Sequence, residues 1–420
     1  MKKRIIVRGP ALSRSGYGEQ CRFAIRSLRA YEDLFDIYLV NTSWGVTGWV
    51  WGNDDERQWV DMILSKTHMA VQQNVQFDIS LQVTIPNEWE KLAPINIGYT
   101  AGIESTKITP IWIEKSQLMD RIIVVSNHAK YGFDNTTYEV THNKTGQVIK
   151  DFRCKTPVVA VNYPIRPTEP AELDVELNTK FNFLAVAQWG PRKNLDNTIK
   201  WFVEEFKDDE DVGLVLKVNV HNNSTMDAHF CEKKLQNLLS QHEDRKCKVY
   251  LLHGDMSDSE MNALYNHPKI HALVTLTHGE GFGLPIFEAA YNELPVIAPE
   301  WGGHCDFMYM PVKDKKKSKA RMRPAFLRVD YDLKPVQKEA IWEGVVSAES
   351  FWCFAKKHSY KARLREMIKD HKRLKSQAKK LTKYINENFT SEAKYGEFVE
   401  AMAVNTGAIQ QEENHAVLVV

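Results

Sequence analysis

The sequence predicts an α/β protein with two doubly wound domains, each built from parallel strands that alternate with helices. At 420 residues the chain exceeds what one hydrophobic core usually supports. Short apolar runs rich in β-branched residues alternate with helical patterns, which is typical of parallel βαβ units. The proline-rich stretch NYPIRPTEPAEL, which begins at residue 162, separates two such series and indicates a linker.

The first series contains six predicted strands, at residues 4–7, 36–40, 78–83, 95–99, 121–125 and 157–161. The second series runs through FNFLAVAQW, VGLVLKVNV, KVYLLHG and IHALVTLT, with helices over about 195–207 and 227–241. Apolar residues spaced by four, three and four predict a further helix over 369–388: Leu374, Ala378, Leu381 and Ile385. Thr390 or Ser391 can cap a last helix that ends near Met402. The predicted units are domains at 1–168 and 178–388 and a C-terminal helix at 389–404.

Composition indicates a folded, soluble protein, with 43% hydrophobic, 26% charged and 10% aromatic residues. No stretch approaches the roughly 18 apolar residues of a membrane span, and the first apolar run ends at Arg8, too short for a signal peptide. We therefore expect a cytoplasmic protein without a transmembrane segment. The net charge of +1 gives no global attraction to nucleic acid or membranes. The six scattered cysteines form no C-x-x-C pair, so we expect neither disulfides nor a metal site.

The most informative stretch is HGEGFGLPIFEAAYNELPVIAP, residues 278–299, which places Glu280 and Glu288 eight positions apart. Because proline is best tolerated in a first helical turn, Pro285 predicts a helix that starts near Leu284, with Glu288 in its first turn. The glycines between the glutamates let backbone amides approach a ligand, and a helix N-terminus favours anions. The stretch therefore predicts a phosphate seat whose two carboxylates accept hydrogen bonds from nearby sugar or ribose hydroxyls.

A phosphate seat flanked by two carboxylates needs cations from elsewhere in the chain. Arg192 and Lys193 directly follow a strand in AVAQWGPRKNLDN, and Lys217 lies toward the end of the next strand in LVLKVNVHN. Ligands of doubly wound sheets bind at the carboxyl ends of the strands, so we expect these cations in a cleft between the domains.

The segment E-G-F-G-L-P-I-F-E, followed by P-V-I-A and preceded by P-R-K-N, resembles the E-x7-E motif of family 4 retaining glycosyltransferases. The resemblance implies the GT-B fold, in which two Rossmann-like domains face each other across a cleft and a C-terminal helix crosses back to the N-terminal domain. It also implies that Glu288 holds the ribose of a nucleotide sugar and that Glu280 lies beside the donor sugar. The diphosphate or sugar would meet the backbone of the intervening segment: Gly281, Phe282, Gly283 and Leu284. The order of elements matches over roughly residues 4–402.

The resemblance extends to other parts of the donor site, with one departure. Lys193 matches a family lysine, but Ala187-Gln188-Trp189 stands where many members carry an arginine, so Lys217 or Arg192 is expected to supply that charge. Gly254-Asp255-Met256 matches the turn that packs the nucleobase, which assigns Met256 to donor binding.

The N-terminal domain, 1–168, would bind the acceptor and complete the site. In GPALSRSGYGEQ, Gly16 and Gly18 resemble the glycine-rich loop that faces the donor phosphates, and GYTAGIEST places Glu104 near the donor sugar. The implied reaction is retaining and metal-independent, with a UDP- or GDP-linked sugar as substrate and no cofactor. A glycan, a lipid-linked glycan or another hydroxyl compound would be the acceptor.

Several alternatives stay open at this stage. The basic run at 313–323 either contacts phosphates of nucleic acid or lipid headgroups or is a solvated insertion. Contact with nucleic acid would fit transfer onto a modified nucleic-acid base, or a non-catalytic nucleotide-sugar or nucleic-acid binding protein. A glycoside hydrolase also uses two carboxylates but needs no phosphate-binding cations. His304 and Asp306 either touch the donor or cap a turn. Four tryptophans either stack on an acceptor or pack in the domain: Trp44, Trp49, Trp51 and Trp59.

Overall fold

The structure is a computed structural model that describes residues 2–50, 52–141, 146, 148–313 and 320–403. Within these residues it contains two six-stranded parallel sheets, each covered by helices. No helix in the described part of the chain combines the length and the apolar character that a membrane crossing requires.

The first sheet is formed by the N-terminal part of the chain, in the strand order β2-β1-β3-β4-β5-β8. All of its neighbouring pairs are parallel. Its six strands coincide with the six predicted ones to within two residues at either end. The strands are β1 (Lys3–Gly9), β2 (Phe35–Asn41), β3 (Ile79–Val83), β4 (Ile95–Thr100), β5 (Arg121–Val124) and β8 (Val158–Ala160). The helices are α1 (Gly16–Ala30), α2 (Asp55–Gln72), α3 (Pro110–Ser116) and α4 (Asn127–Asn135), and a hairpin of β6 (Tyr138–Thr141) and β7 (Val148–Phe152) follows them.

The second sheet repeats the same winding, in the order β11-β10-β9-β12-β13-β16. Residues 161–180, which include the proline-rich stretch, join the sheets without a helix or strand. The parallel strands are β9 (Phe181–Gln188), β10 (Val212–Asn219), β11 (Lys248–Leu252), β12 (Ile270–Val274), β13 (Val296–Pro299) and β16 (Leu327–Val329). The helices are α5 (Leu195–Phe206), α6 (Thr225–Leu239), α7 (Asp258–Tyr265), α8 (Leu284–Tyr291), α9 (Lys357–Lys369), α10 (His371–Asn388) and α11 (Ser391–Ala401). Two antiparallel hairpins are inserted, β14 (Tyr309–Lys313) with β15 (Ala320–Pro324) and β17 (Tyr331–Pro335) with β18 (Phe351–Ala355).

Each sheet reverses its strand order at one point, between β1 and β3 in the first sheet and between β9 and β12 in the second. A crevice opens there because the connections on either side leave toward opposite faces, and ligands of such sheets bind at this crevice. The loops after β9 and β12 carry the P-R-K and E-G-F-G-L-P segments. The topology therefore brings the predicted cations and glutamates to one place.

The last two helices tie the C-terminal part of the chain to both domains. The predicted apolar stripe of α10 is buried, and Thr382 donates a hydrogen bond of 2.8 Å to the Ala290 carbonyl of α8. Thr390 caps α11, as expected, by accepting a bond from the Ala393 amide. The helix then packs on α1 of the first domain, where the rings of Phe398 and Phe23 lie 5.3 Å apart. The prediction of a helix that crosses back to the N-terminal domain is confirmed.

The basic run at 313–323 lies on the β14–β15 hairpin, and its central residues, 314–319, are outside the described residues. Its predicted contact with phosphates therefore stays a prediction.

Replacing Phe398 with alanine is expected to destabilise the protein by about 3–5 kcal/mol, because the ring is fully buried between α11 and α1. Urea unfolding followed by circular dichroism measures this change. Phe230→Ala is the matched control, since Phe230 is 62% exposed on α6 and should change stability by less than about 0.5 kcal/mol. Equal effects of the two substitutions would contradict the assigned docking of α11.

Candidate functional site

Glu280 lies in the loop between β12 and α8 and is almost completely buried, with 7% of the residue exposed. Its Oε1 lies 2.6 Å from Nζ of Lys193, and its Oε2 lies 3.3 Å from Nη1 of Arg192. Burial alone would raise the pKa of this carboxyl, but the two cations outweigh it and lower the pKa to about 2. Glu280 is therefore held ionised.

Arg192 connects Glu280 of the second domain with Glu104 of the first domain. Its Nη2 lies 3.3 Å from Oε1 of Glu104, in the loop after β4, and its Nη1 donates to the Gly279 carbonyl at 2.7 Å. The pKa of Arg192 is raised because the neighbouring carboxylates, Glu104 and then Glu280, outweigh its burial. The two carboxylates and two cations form one group, which we call the ion cluster: Glu104, Arg192, Lys193 and Glu280.

The backbone around Glu280 fits tightly against the first domain. A Cβ at Gly279 would lie 2.1 Å from the Glu104 carbonyl oxygen, so only glycine allows this approach. The Ser126 hydroxyl, at the start of α4, donates to the Gly281 carbonyl at 2.5 Å. The glycines of the motif thus let the Glu280 loop press against the N-terminal domain, in addition to exposing amides.

The segment from Gly281 to Leu284 leads into the N-terminus of α8, which begins at Leu284 as predicted. Gly283 is its N-cap, with a φ of 97° that favours glycine. The four residues of the segment line the cavity, and within the described residues none of their amides donates a hydrogen bond to a protein acceptor. The Phe282 side chain is buried against Phe287 and Phe307, with rings 5.2 and 4.8 Å away, so only its backbone can meet a ligand. Free amides at a helix start form an anion site.

The sequence predicts Glu288 in the first turn of α8, and the structure corrects this prediction. Glu288 is the fifth residue of α8, in the second turn and not the first, because the helix starts at Leu284 and one turn takes 3.6 residues. There its Oε2 accepts a hydrogen bond of 2.8 Å from the Tyr265 hydroxyl of α7. No cation pairs with it among the described residues, and burial raises its pKa to about 7. It lines the same cavity as Glu280.

The turn after β11 is held by two cations. Lys217 of β10 donates from Nζ to the Gly254 carbonyl at 2.6 Å. Arg14, from the loop after β1, bonds the Asp255 carboxylate and the Met256 carbonyl, both at 3.0 Å. Sequence reasoning missed Arg14, although it stands between the two predicted glycine positions and the first strand, in the loop that faces the other domain.

Gly16 and Gly18 have different surroundings despite their proximity. Gly16 starts α1 and lines the cavity, with no heavy atom within 4 Å of where a Cβ would stand. A Cβ at Gly18 would lie 1.9 Å from the Ser13 carbonyl oxygen, so this glycine permits the tight turn into α1. Gly18 does not line the cavity.

The cavity between the two domains has a volume of about 850 Å³. Every predicted site residue except Gly18 lines it. His304 and Asp306 do not line it. His304 is fully buried and shares a hydrogen bond of 2.8 Å with the Pro299 carbonyl, and Asp306 accepts from the amide of Asn127 and the side chain of Asn162 at 2.8 and 3.0 Å.

Three potential metal ligands meet elsewhere in the described part of the chain: Asp227 and Cys231 of α6, and His253, which directly follows β11. Asp227 accepts hydrogen bonds from the amides of Val220 and His221 at 2.9 and 2.8 Å and contacts Nε2 of His253 at 2.9 Å. Because that carboxylate is fully engaged, the group fixes the loops beside the Gly254 turn.

Two of the four tryptophans, Trp49 and Trp59, do not line the cavity. Trp59 lies under the guanidinium of Arg29, 4.7 Å from the ring centre, and Trp49 is 53% exposed beyond the cavity wall. Trp51 is outside the described residues. Trp44 lines the cavity and stacks on Tyr17 with ring centres 4.1 Å apart.

Glu288→Gln is expected to stabilise the unliganded protein increasingly as the pH rises. The folded-state pKa of about 7 is above the ordinary 4.5, so ionising Glu288 costs stability as the pH rises from 4.5 through 7. The stability difference between variant and parent should therefore grow by about 3 kcal/mol between pH 4.5 and pH 8. Urea unfolding at several pH values measures it, and Glu232→Gln, at an exposed site on α6, controls for loss of charge. A difference that is the same at all pH values would contradict the assignment.

No protein-family model matches the chain. A segment of 116 residues, 28% of this chain, is 33% identical to the serotype-specific mannosyltransferase WbdA of Escherichia coli, and it spans 13% of that relative. Sucrose-phosphate synthase from Thermosynechococcus elongatus superposes with a TM-score of 0.61 at 11% identity, over 95% of this chain and 98% of that chain. For α,α-trehalose 6-phosphate synthase from Burkholderia multivorans the TM-score is 0.59 at 8% identity, over 96% and 98%. For the lipopolysaccharide outer core galactosyltransferase WaaB it is 0.53 at 11% identity, over 96% and 99%. The chain has the GT-B fold.

Proposed function

We propose that the protein is a retaining glycosyltransferase that transfers a sugar from a nucleoside diphosphate sugar to a hydroxyl group of an acceptor. The observation that carries the proposal is the ion cluster beside the amide-lined start of α8, at the strand-order reversal of the second sheet. Free amides and two cations suit a diphosphate leaving group. The segment similarity to a mannosyltransferase supports sugar transfer, although it spans only a small part of that relative.

In this proposal the diphosphate binds the amides of Gly281 to Leu284, with Lys193 beside them. Burial lowers the pKa of Lys193 although Glu280 opposes the change. An incoming phosphate would compete with Glu280 for this ammonium. Negative charge that grows on the leaving diphosphate would be stabilised by groups already in place, which is where most catalytic stabilisation of this kind arises. Because the protein supplies these positive charges, the proposed reaction needs no metal ion.

Glu288 would hold the ribose hydroxyls of the donor. It lines the cavity about one helical turn after Leu284, and Tyr265 fixes one of its oxygens. The Gly254–Met256 turn, held by Lys217 and Arg14, would receive the base through its backbone. Backbone contacts discriminate poorly between bases, so UDP- and GDP-linked sugars both fit the proposal.

Glu280 would orient the donor sugar. A glycoside hydrolase needs no phosphate-binding cations. Lys193 and Arg192, which both contact Glu280, favour transfer from a nucleoside diphosphate sugar over hydrolysis. Family 4 membership and retention of configuration follow from the sequence resemblance and form part of this proposal.

UDP, GDP or both are expected to raise the melting temperature. A ligand at about 100 times its dissociation constant adds about 2.7 kcal/mol to stability. Thermal-shift measurement with UDP, GDP and ADP tests this, and Lys193→Ala should remove most of the shift. Lys200→Ala is the matched control, because Lys200 is exposed on the same helix that follows Lys193. Absence of a shift with every nucleotide would overturn the donor assignment.

Glu280→Gln is expected to lower kcat at least about 100-fold, as losses of one positioned catalytic group often do. Nucleotide binding should be equal or tighter, because the substitution releases Lys193 and Arg192 from a competing carboxylate. Steady-state kinetics and UDP titration measure the two effects separately. In the parent enzyme, NMR of the first product should show the anomeric configuration of the donor. An inverted product, or sugar release from oligosaccharides without nucleotide, would contradict the proposed reaction.

A further inference from the structure

One segment of the second domain reaches across to the first. Residues 330–355, which comprise β17, β18 and the loop between them, form what we call the strap. The Gly344 carbonyl at its tip accepts hydrogen bonds from Asn87 Nδ2 at 3.0 Å and from Thr109 Oγ1 at 2.9 Å. Phe351 exchanges two further bonds of 2.9 Å with Thr106. The strap is therefore anchored on the loops after β3 and β4.

The strap's tip is a tight turn with a fixed position. The Val346 amide donates to the Trp342 carbonyl at 2.7 Å, and Gly344 between them has a φ of 73°. Val345 is 7% exposed and packs into an apolar cluster of the first domain that includes Trp112. Gly344 and Val345 of this turn are both held by the first domain. The backbone position of Trp342, which starts the turn, is therefore fixed.

Trp342 is 61% exposed and lines the cavity, which is unusual for an indole on an anchored turn. Trp44 lines the same cavity, fixed by stacking on Tyr17, whose hydroxyl shares a hydrogen bond of 2.7 Å with Thr100. Tyr17 follows β1 and the strap covers the ends of β3 and β4. Both indoles line the cavity that also contains the ion cluster, and we call the part of the cavity that they line the slot.

The charges around this slot disfavour an anionic ligand. Its walls carry the carboxylates of Glu104 and Glu339, and the nearby cation, Arg192, is already bound to Glu104 and Glu280. The other cavity-lining arginines of the first domain bond acidic partners toward the Gly254 turn: Arg14 with Asp255, Arg166 with Glu19 and Asp258, and Arg22 with Glu19. Among the described residues, these cavity-lining arginines are all paired with carboxylates, whereas a nucleic acid or phosphorylated headgroup needs free cations.

We infer that Trp342 of the strap and Trp44 form a subsite for a neutral saccharide, which is the acceptor of the proposed transfer. Indole rings offer flat apolar faces to the C–H faces of a pyranose, and the wall carboxylates accept its hydroxyl hydrogens. The inference rests on the proposed function for the transfer step, but saccharide binding itself does not need a donor. It assigns acceptor recognition partly to the second domain, through the strap.

Saccharide titration followed by intrinsic tryptophan fluorescence tests the subsite without any nucleotide. The probes are maltotriose, chitotriose and α-1,2-linked mannotriose, with the single strand dT10 as the anionic rival. At least one trisaccharide should quench the parent protein in a saturable way, and Trp342→Ala or Trp44→Ala should weaken that binding at least tenfold. Trp342→Phe should keep most of it, since a ring remains. Trp49→Ala is the matched control at an exposed indole outside the cavity.

Kinetics then separate the subsite from the donor site. Trp342→Ala should raise the KM for the saccharide acceptor at least tenfold, while the UDP thermal shift stays within the error of the parent. Saccharide binding without any nucleotide shift would support the subsite and overturn the proposed function. A nucleotide shift with no trisaccharide binding, saturable binding of dT10 alone, or an equal loss in Trp49→Ala would overturn the subsite.

Discussion

Arg192 is the side chain on which the arrangement of this molecule depends, because it connects two carboxylates from different domains. Glu280 is buried, and an unpaired buried carboxylate would cost several kcal/mol or become protonated. Arg192 and Lys193 remove that cost, and Arg192 also fixes the Gly279 carbonyl and Glu104. The position of the cations follows from the winding of the sheet, since β9 and β12 are neighbours at its reversal. The ion cluster thereby fixes the loop that carries Glu280 and also joins the two domains.

The tight approach of the domains holds the Glu280 carboxylate against the ammonium of Lys193. Gly279 lies against the Glu104 backbone, Ser126 bonds Gly281, and Asp306 bonds the start of α4. These contacts hold the loop of Glu280 against the first domain, and the Glu280 carboxylate is paired with the ammonium of Lys193. A diphosphate that binds the amides of α8 would compete for that ammonium. In the proposed mechanism, the donor would therefore exchange one anionic partner of Lys193 for another, and neither state leaves a buried charge unpaired.

The sequence predicted most of the regular structure and the residues of the ion cluster, because both follow from local pattern and sheet winding. The strands of both sheets are apolar runs, and strand ends meet at one edge, so Arg192, Lys193 and Glu280 were expected together. Contacts across domains are not local in sequence, which is why Arg14 and the strap were missed. The sequence pattern does not distinguish Gly16 from Gly18, because their different roles follow from the position of the Ser13 carbonyl, which lies close to Gly18 and not to Gly16. The predicted turn of Glu288 was wrong although the predicted helix start was right, because the fifth residue of a helix lies beyond the 3.6 residues of its first turn.

The two glutamates of one motif end in opposite electrostatic surroundings, and this difference suits them to different tasks. Glu280 has two cations within 3.3 Å and a pKa of about 2, whereas Glu288 has a hydroxyl partner and a pKa of about 7. Near neutral pH Glu280 is fully ionised and Glu288 only partly, so the repulsion between these two carboxyls is smaller than it would be between two full charges. A carboxyl that is half protonated can donate or accept a hydrogen bond, and hydroxyls that bind it would favour the ionised form. Ligand binding at Glu288 would therefore release a proton, whereas Glu280 is ionised before any ligand arrives.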